Sequence, residues 1–354
     1  MKIKKKVLVI SVSNTAKGGV ATVVTTFMNN DFLNNEYDMQ YFHTHSPNGK
    51  LNKNFSLFKA CLIFPFMVCF GRFDIAHIHG SLKGSFARKS YFLFWLRLFS
   101  IPTIYQCHAA QAKKFFNSLS DKQYLRVLKT FRKYQLCLCL GSNWVQELEL
   151  LTSRQWNILF NPVAEHSLVR TDHITCNFTF MGELSGRKGI VDLINAFALT
   201  SNDNSRLLIA GNGDTRSLQK LCSELDISHK VEILGWVDKQ QKINLLKRTD
   251  VVVLPSYAEG LPMSILEAMS IGLPVITTPV GSVQDAITHN VHGLLVEAGN
   301  VSQITSAINE LSYDIDKRVR LGNMGKVKFL ENFKDDVVAK KLSEYYKELI
   351  RSIH

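Results

Sequence analysis

The chain has 354 residues, 46% hydrophobic and 20% charged, with 42 Lys and Arg against 30 Asp and Glu. That balance excludes a disordered or fibrous polymer, and the length fits one large domain or two medium ones, because a single hydrophobic core stops growing near about 250–300 residues. The net charge of +12 is lopsided: residues 1–165 carry 21 basic and 8 acidic side chains, whereas residues 166–354 carry 21 and 22. The whole excess lies in the first half, which points to two domains with different partners, the first preferring an anionic one.

Taken in chain order, Met1–Lys6 is basic, and the apolar run behind it, Val7–Ile10, is too short for a signal peptide and reads as a first buried strand. Further strands are predicted over Tyr37–Phe42, Ile75–Ile78, Thr103–Cys107, Leu136–Leu140 and Asn157–Phe160. Helices are predicted over Val20–Met28, Leu57–Phe70, Ser85–Phe99, Lys122–Lys133 and Trp144–Leu151. The longest uncharged apolar stretch, Ala60–Phe70, has 11 residues and contains Pro65, short of the ~20 that a spanning helix needs. Cys137 and Cys139 alternate with Leu in one of these strands, and none of the seven cysteines stands in a C-x-x-C, so reduced thiols and no structural metal are expected.

The pattern breaks at Asn161-Pro162-Val163 and through the polar segment Ala164–Thr175, then restarts. Strands follow over Phe178–Met181, Arg206–Ala210, Val231–Leu234, Val251–Leu254 and Val275–Thr277. Helices follow near Gly189–Leu199, Ser217–Leu225, Gln240–Arg248, Pro262–Ile271 and Val301–Leu311, with a last helical period over Phe333–Ile350. Alternating strands and helices build parallel sheets with crossover helices. The expectation is an α/β chain of two doubly wound, Rossmann-like domains, residues 1–163 and 164–332, facing each other across a cleft that holds the ligand at the carboxyl ends of the strands.

The densest motif is Pro255-Ser-Tyr-Ala-Glu-Gly-Leu-Pro-Met-Ser-Ile-Leu-Glu-Ala-Met269, directly after the strand Val251–Leu254. With Pro262 in the first turn of a helix, the backbone N–H groups of Gly260, Leu261 and Met263 face the strand's carboxyl end, where an anion fits. Glu259 and Glu267 stand eight residues apart, a spacing that suits two carboxylates along one extended ligand. A second reading stays open, in which Glu259 complements the helix N-terminus and Glu267 is a solvated helical residue.

Glu259-Gly-Leu-Pro-x4-Glu267-Ala-Met, followed by Gly272-Leu-Pro-Val-Ile and Gly281, resembles the E-x7-E signature of the retaining GT-B glycosyltransferases of family 4, glycosyl transferases group 1. Phe180-Met-Gly-Glu-Leu-Ser-Gly-Arg-Lys-Gly-Ile190, Leu208-Ile-Ala-Gly-Asn-Gly213, Val231-x-Ile-Leu-Gly235 and His292-Gly-Leu-Leu-Val296 follow in that family's order, and the resemblance is specific over about residues 178–296. It implies that Glu267 binds the ribose hydroxyls of a nucleotide diphosphate sugar, that Glu259 lies beside the transferred sugar, and that Lys188 meets the diphosphate, with Gly182, Gly211, Gly260, Leu261 and Pro262 around the donor. Where the family commonly has G-R-L before that lysine, this chain has Gly182-Glu183-Leu184. Arg187 is the expected substitute cation, because a guanidinium fits phosphate oxygens bidentately.

In the first half, Ala16-Lys-Gly18-Gly19-Val20 resembles the family's glycine loop under the diphosphate, and His108 matches its histidine near the donor sugar, although Ala109 follows where Gly or Asp is commoner. Asp74, His77 and His79 resemble the D-x-x-H-x-H stretch and are read mainly as structural. The last helix, 333–354, returns to the first domain in the family. The implied function is retaining transfer of a sugar, from a UDP-sugar, to a saccharide hydroxyl on a lipid-linked acceptor of bacterial surface polysaccharide synthesis, with no metal cofactor. A GDP-mannose-dependent mannosyltransferase and an inactive nucleotide-sugar-binding subunit are the alternatives.

Asn54–Arg72 and Ser85–Phe99 mix aromatics with Lys53, Lys59, Arg72, Lys83, Arg88, Lys89 and Arg97. Either these helices bury their aromatics on the first sheet, or they meet an anionic bilayer surface, which accounts for the basic excess as well. No nucleic-acid motif is present. The expected location is cytoplasmic, peripheral at the inner face of the membrane.

Overall fold

The computed structural model describes residues 4–13, 18–44, 50–82, 84–166, 168 and 174–352. The chain divides into two compact units, one of residues 1–163 with 335–354 and one of residues 164–334.

The first unit runs β1 (Lys5–Ser11), α1 (Gly19–Met28), α2 (Asp31–Glu36), β2 (Tyr37–His43), α3 (Lys50–Gly71), β3 (Ile75–Gly80), α4 (Gly84–Leu98), β4 (Thr103–Cys107), α5 (Ala112–Asn117), α6 (Asp121–Phe131), β5 (Leu136–Cys139), α7 (Ser142–Thr152) and β6 (Asn157–Ile158). Its sheet is parallel in the order β2-β1-β3-β4-β5-β6. Val7–Ile10, Ile75 and Ile104 are buried, as near-continuous apolar strands covered on both faces must be.

The second unit runs β7 (Cys176–Met181), a 3₁₀ turn over Gly186–Lys188, α8 (Ile190–Ala198), β8 (Ser205–Ala210), α9 (Thr215–Glu224), β9 (Val231–Gly235), α10 (Lys239–Lys247), β10 (Val251–Leu254), α11 (Met263–Ser270), β11 (Val275–Thr277), α12 (Val283–Ala286), β12 (Leu294–Leu295), α13 (Val301–Tyr313) and α14 (Ile315–Asn332). Its parallel order, β12-β11-β10-β7-β8-β9, reverses between β7 and β10. This α/β architecture of two six-stranded doubly wound sheets is the expected one.

The last helix, α15 (Asp335–Arg351), belongs to the first unit. Asn30 Nδ2 donates to Asp336 Oδ1 at 3.0 Å, Tyr37 Oη pairs with Ser343 Oγ at 2.9 Å, and Tyr345 Oη donates to the Ile158 carbonyl at 3.0 Å. The helix is thereby tied to both ends of the sheet.

Four helices lie outside the predicted set: α2, α5, α12 and α14. The first three are too short to show a 3.6-residue period. α14 is largely polar and buries only Leu321, Gly322, Gly325 and Phe329. Pro262 caps α11 with extended backbone and does not open its first turn.

α3 also departs from expectation. It starts at Lys50, seven residues early, and its window Asn54–Gly71, with a mean hydropathy of 1.6, is long and apolar enough to cross a membrane. The 11-residue count stopped at Lys59, whereas the helix continues through that single charge. One face, Ala60, Phe64 and Val68, is buried, with the Phe64 ring 4.8 Å from Phe92 and 5.0 Å from Phe42. Pro65 has no N–H to give the Cys61 carbonyl one turn back, and Tyr91 Oη from α4 donates to that oxygen at 2.8 Å. A side chain thus replaces the missing helical bond and clamps α3 to α4. Tyr91→Phe is expected to cost about 1 kcal/mol, seen as a fall of about 2–4 °C in the melting temperature followed by circular dichroism. An unchanged melting temperature would show that water serves the carbonyl equally well.

Candidate functional site

Reversal of the strand order puts the loops after β7 and β10 side by side, which is where doubly wound sheets hold ligands. After β7 the chain passes Gly182 and Glu183 into the turn Gly186–Lys188; after β10 it runs Pro255–Pro262 into α11. The Tyr257 N–H donates to the Arg187 carbonyl at 2.9 Å and stitches the two loops together. Gly189 makes this approach possible: its φ is +69°, and a Cβ there would stand 2.1 Å from the Pro255 oxygen.

The two predicted carboxylates are both buried, and each holds a lysine. Glu259 Oε1 accepts from Lys188 Nζ at 2.5 Å and from Ser256 Oγ at 2.7 Å. Arg187 donates from Nη1 to the Ala258 carbonyl at 2.8 Å, sets the same nitrogen 3.9 Å from Glu259 Oε2, and turns Nη2 to Glu183 Oε2 at 3.0 Å. Arg187 and Lys188 therefore converge on one carboxylate, while Glu183 lies outside on the exposed side of Arg187. Glu267, from α11, accepts from Lys242 Nζ of α10 at 2.6 Å. Its burial removes the reading of a solvated helical residue.

Lys242 and Ser256 were not among the predicted residues. Lys242 is 25 positions from Glu267 and in no motif with it, so only the tertiary fold brings them together. Gly281, with φ +58°, lies so close behind Glu259 that a Cβ would be 2.0 Å from the Glu259 oxygen, and the Ser282 N–H donates to the Gly260 carbonyl at 2.8 Å. Gly211 packs its backbone on Gly182, where a Cβ would stand 1.7 Å from the Gly182 oxygen. Leu261 is buried, and Pro262 precedes the uncapped first turn of α11.

In the first unit Gly18 (φ +140°) and Gly19 open α1 at the carboxyl end of β1, next to β3 where this sheet's order also reverses. Ala16 and Lys17 of the glycine loop lie outside the described residues, as does Lys83. His108 follows β4, its N–H donating to the Gly80 carbonyl at 2.8 Å. It continues a stack of imidazoles: the His77 and His79 centroids are 4.1 Å apart, those of His79 and His108 5.3 Å, and His79 Nδ1 is 3.1 Å from His108 Nε2. His77 Nδ1 meets Tyr346 Oη of α15 at 2.9 Å. Burial pushes His77 and His108 down to about 3, and burial followed by the neighbouring imidazoles and Lys89 holds His79 well below the usual histidine range. All three are neutral at pH 7.

Lys89, which the sequence groups with the surface cations, is buried at 1% exposure. Its Nζ donates to Thr44 Oγ1 at 3.4 Å, and burial, then Arg88, brings it down to about 7.

The two doubly wound units define the GT-B fold class: the chain superposes on sucrose-phosphate synthase of Thermosynechococcus elongatus with a TM-score of 0.82 at 18% identity, over 99% of this chain and 100% of that one. HepE of Anabaena, solved with UDP and glucose, gives 0.77 at 16% identity over 97% and 100%. Residues 176–328, which contain the paired carboxylates, match the family model of the glycosyl transferases group 1. An uncharacterized glycosyltransferase of Methanocaldococcus jannaschii is 36% identical over 170 residues, 48% of this chain and 44% of that protein, so the shared stretch spans less than half of that relative.

Two outcomes follow from this geometry. In the unfolded chain the histidines titrate near 6.5, whereas in the folded unit His77 and His108 stay neutral to about 3 and His79 is held well below the usual histidine range. Acid therefore protonates the unfolded state first, and stability falls as pH drops from 6.5 towards 3, approaching tenfold in the unfolding equilibrium per pH unit for each fully buried ring. Melting temperatures measured from pH 7.5 to 4 should decline through this range; a flat profile would contradict the buried neutral stack. Gly281→Ala should lower the melting temperature and speed amide exchange over 256–262, because the new Cβ displaces the Glu259 backbone.

Proposed function

We propose that the chain transfers a sugar from a nucleotide diphosphate sugar, UDP-linked, to a saccharide hydroxyl with retention at the anomeric carbon. The observation that carries this reading is the convergence of Arg187 and Lys188 on the buried Glu259, with Glu267 eight residues on and paired to Lys242. In this reading the cations exchange a carboxylate partner for the diphosphate, and Glu267 receives the ribose diol that Lys242 now blocks. The UDP base is supported by the likeness to HepE, whose structure holds UDP and glucose.

As the bond from the anomeric carbon to the phosphate oxygen breaks, charge develops on the β-phosphate. Lys188, Arg187 and the first turn of α11 stabilise it, and preorganised protein charges of this kind take the role a divalent ion has elsewhere. The acceptor oxygen bonds to the anomeric carbon on the same face, and its proton passes to the departing phosphate oxygen. Glu259 stands beside the transferred sugar, and His108, neutral, is a hydrogen-bonding rather than a charged neighbour of the donor. The acceptor is a lipid-linked saccharide of surface polysaccharide assembly, at the cytoplasmic face of the membrane.

The test is a binding and hydrolysis screen of the full chain against UDP-, GDP-, ADP- and dTDP-sugars in EDTA. Slow turnover of a UDP-sugar is expected, falling about 10²–10³-fold in Lys188→Ala and lost in Glu259→Ala. Melting temperatures accompany the variants, because removing one partner of a buried ion pair costs about 3–5 kcal/mol in itself. Selective use of GDP-sugars would move the donor to GDP-mannose. Nucleotide binding with no turnover in the presence of lipid-linked acceptors would make the chain a non-catalytic subunit and put the weight on Glu183.

A further inference from the structure

α3 is apolar on two opposite faces, and only one of them is covered. At 100° per residue, Phe55, Phe58, Leu62, Phe66, Cys69 and Phe70 fall within an arc of about 120° that Lys59 shares as its one charge, while the buried Ala60, Phe64 and Val68 lie on the far side. All six are exposed, Phe58 at 62%, Phe66 at 68% and Phe70 at 77%. Phe94 and Leu98 of α4, at 60% and 61%, add to the exposed apolar surface. A helix that is apolar on both faces belongs in a protein core or in a membrane, and among the described residues none covers the outer face of this one.

The charge around it is of one sign. Between Asp38 and Asp121 the chain holds a single acidic residue, Asp74, against ten Lys and Arg. That carboxylate is already engaged, accepting from Lys5 Nζ and from the Lys6 N–H, both at 2.8 Å. Lys59, Arg72, Arg97, Lys113 and Lys114 are exposed; Lys89, being buried, takes no part. The bond from Tyr91 to the Cys61 carbonyl has added meaning here, because a helix containing proline can lie in hydrocarbon only if the freed carbonyl finds a partner within the protein.

We propose that the outer face of α3, continued by Phe94 and Leu98, is a monotopic membrane-docking surface that inserts its phenylalanines into one leaflet of an anionic bilayer and sets the surrounding lysines and arginines among the phosphates. The helix lies along the membrane and does not cross it: its inner face stays packed on Phe42 and Phe92, and a spanning course would strip Phe64 and Val68 from the core. The inference stands on the surface alone and is independent of the glycosyl-transfer reading.

The full chain is to be sedimented with vesicles of phosphatidylcholine alone and of phosphatidylcholine with phosphatidylglycerol, with no donor or acceptor present. Binding is expected to the anionic vesicles and to be at least about tenfold weaker to the neutral ones at low salt. Phe58→Ser/Phe66→Ser/Phe70→Ser should lower partitioning at least about tenfold with the melting temperature unchanged. In a separate variant, Phe66→Trp, the added fluorescence should shift to the blue and be quenched by brominated acyl chains. Absence of binding, or binding that the serine variant leaves intact, would overturn insertion. A dimer without lipid that the serine variant dissociates would assign the face to a second copy of the chain. Melting of α3 from the sheet on binding, read as rapid amide exchange at Phe64 and Val68, would replace the in-plane course with a spanning one.

Discussion

The adjacency of β7 and β10 is the constraint on which the candidate site depends. Because the sheet grows outward in both directions from this pair, no helix crosses over their carboxyl ends, and the two loops that leave them meet face to face. Lys188 on one and Glu259 on the other are 71 residues apart in sequence, yet they share a hydrogen bond. A buried glutamate without a cation is costly, and the half-buried Lys188 supplies one, so the pair fixes the two loops together. Gly189 and Gly281 serve the same end from two sides, admitting backbone where any Cβ would push the loops apart.

The pair also explains how a set of charges is held in place between the two loops. Ser256 and the Ala258 carbonyl orient Glu259 and Arg187, and Glu183 takes the solvent-facing side of the guanidinium. The acid that stands where the family commonly has arginine is thus spatially separate from the buried carboxylate and from Lys188.

The first unit is organised differently, around buried neutral polar groups. Its three imidazoles stack along the carboxyl ends of β3 and β4, anchored by Tyr346 from a helix some 270 positions away in sequence. α15 closes over Tyr37, His77 and Ile158 in turn, so the end of the chain completes the core that its beginning starts. On another part of this unit, α3 and α4 turn apolar surface outward while Phe64, Phe92 and Phe42 bury it inward.

Much of this was legible from the residues in order. Short apolar runs alternating with helical periods specify parallel strands and crossovers because each element must bury one face, and all of the predicted strands formed. The E-x7-E string located both carboxylates because a strand, a tight loop and a helix start are local events. What the order could not contain were the partners: Lys242 for Glu267, Tyr91 for the Cys61 carbonyl orphaned by Pro65, Tyr346 for His77. These pairs are made by helices packing across a sheet, and no periodicity reports them. The same holds for exposure. Phe58 and Phe64 are the same residue type on the same helix, and Lys59 and Lys89 carry the same charge; composition and spacing determine that a helix forms, but only the sheet beneath it decides which of its faces is covered and which is left open.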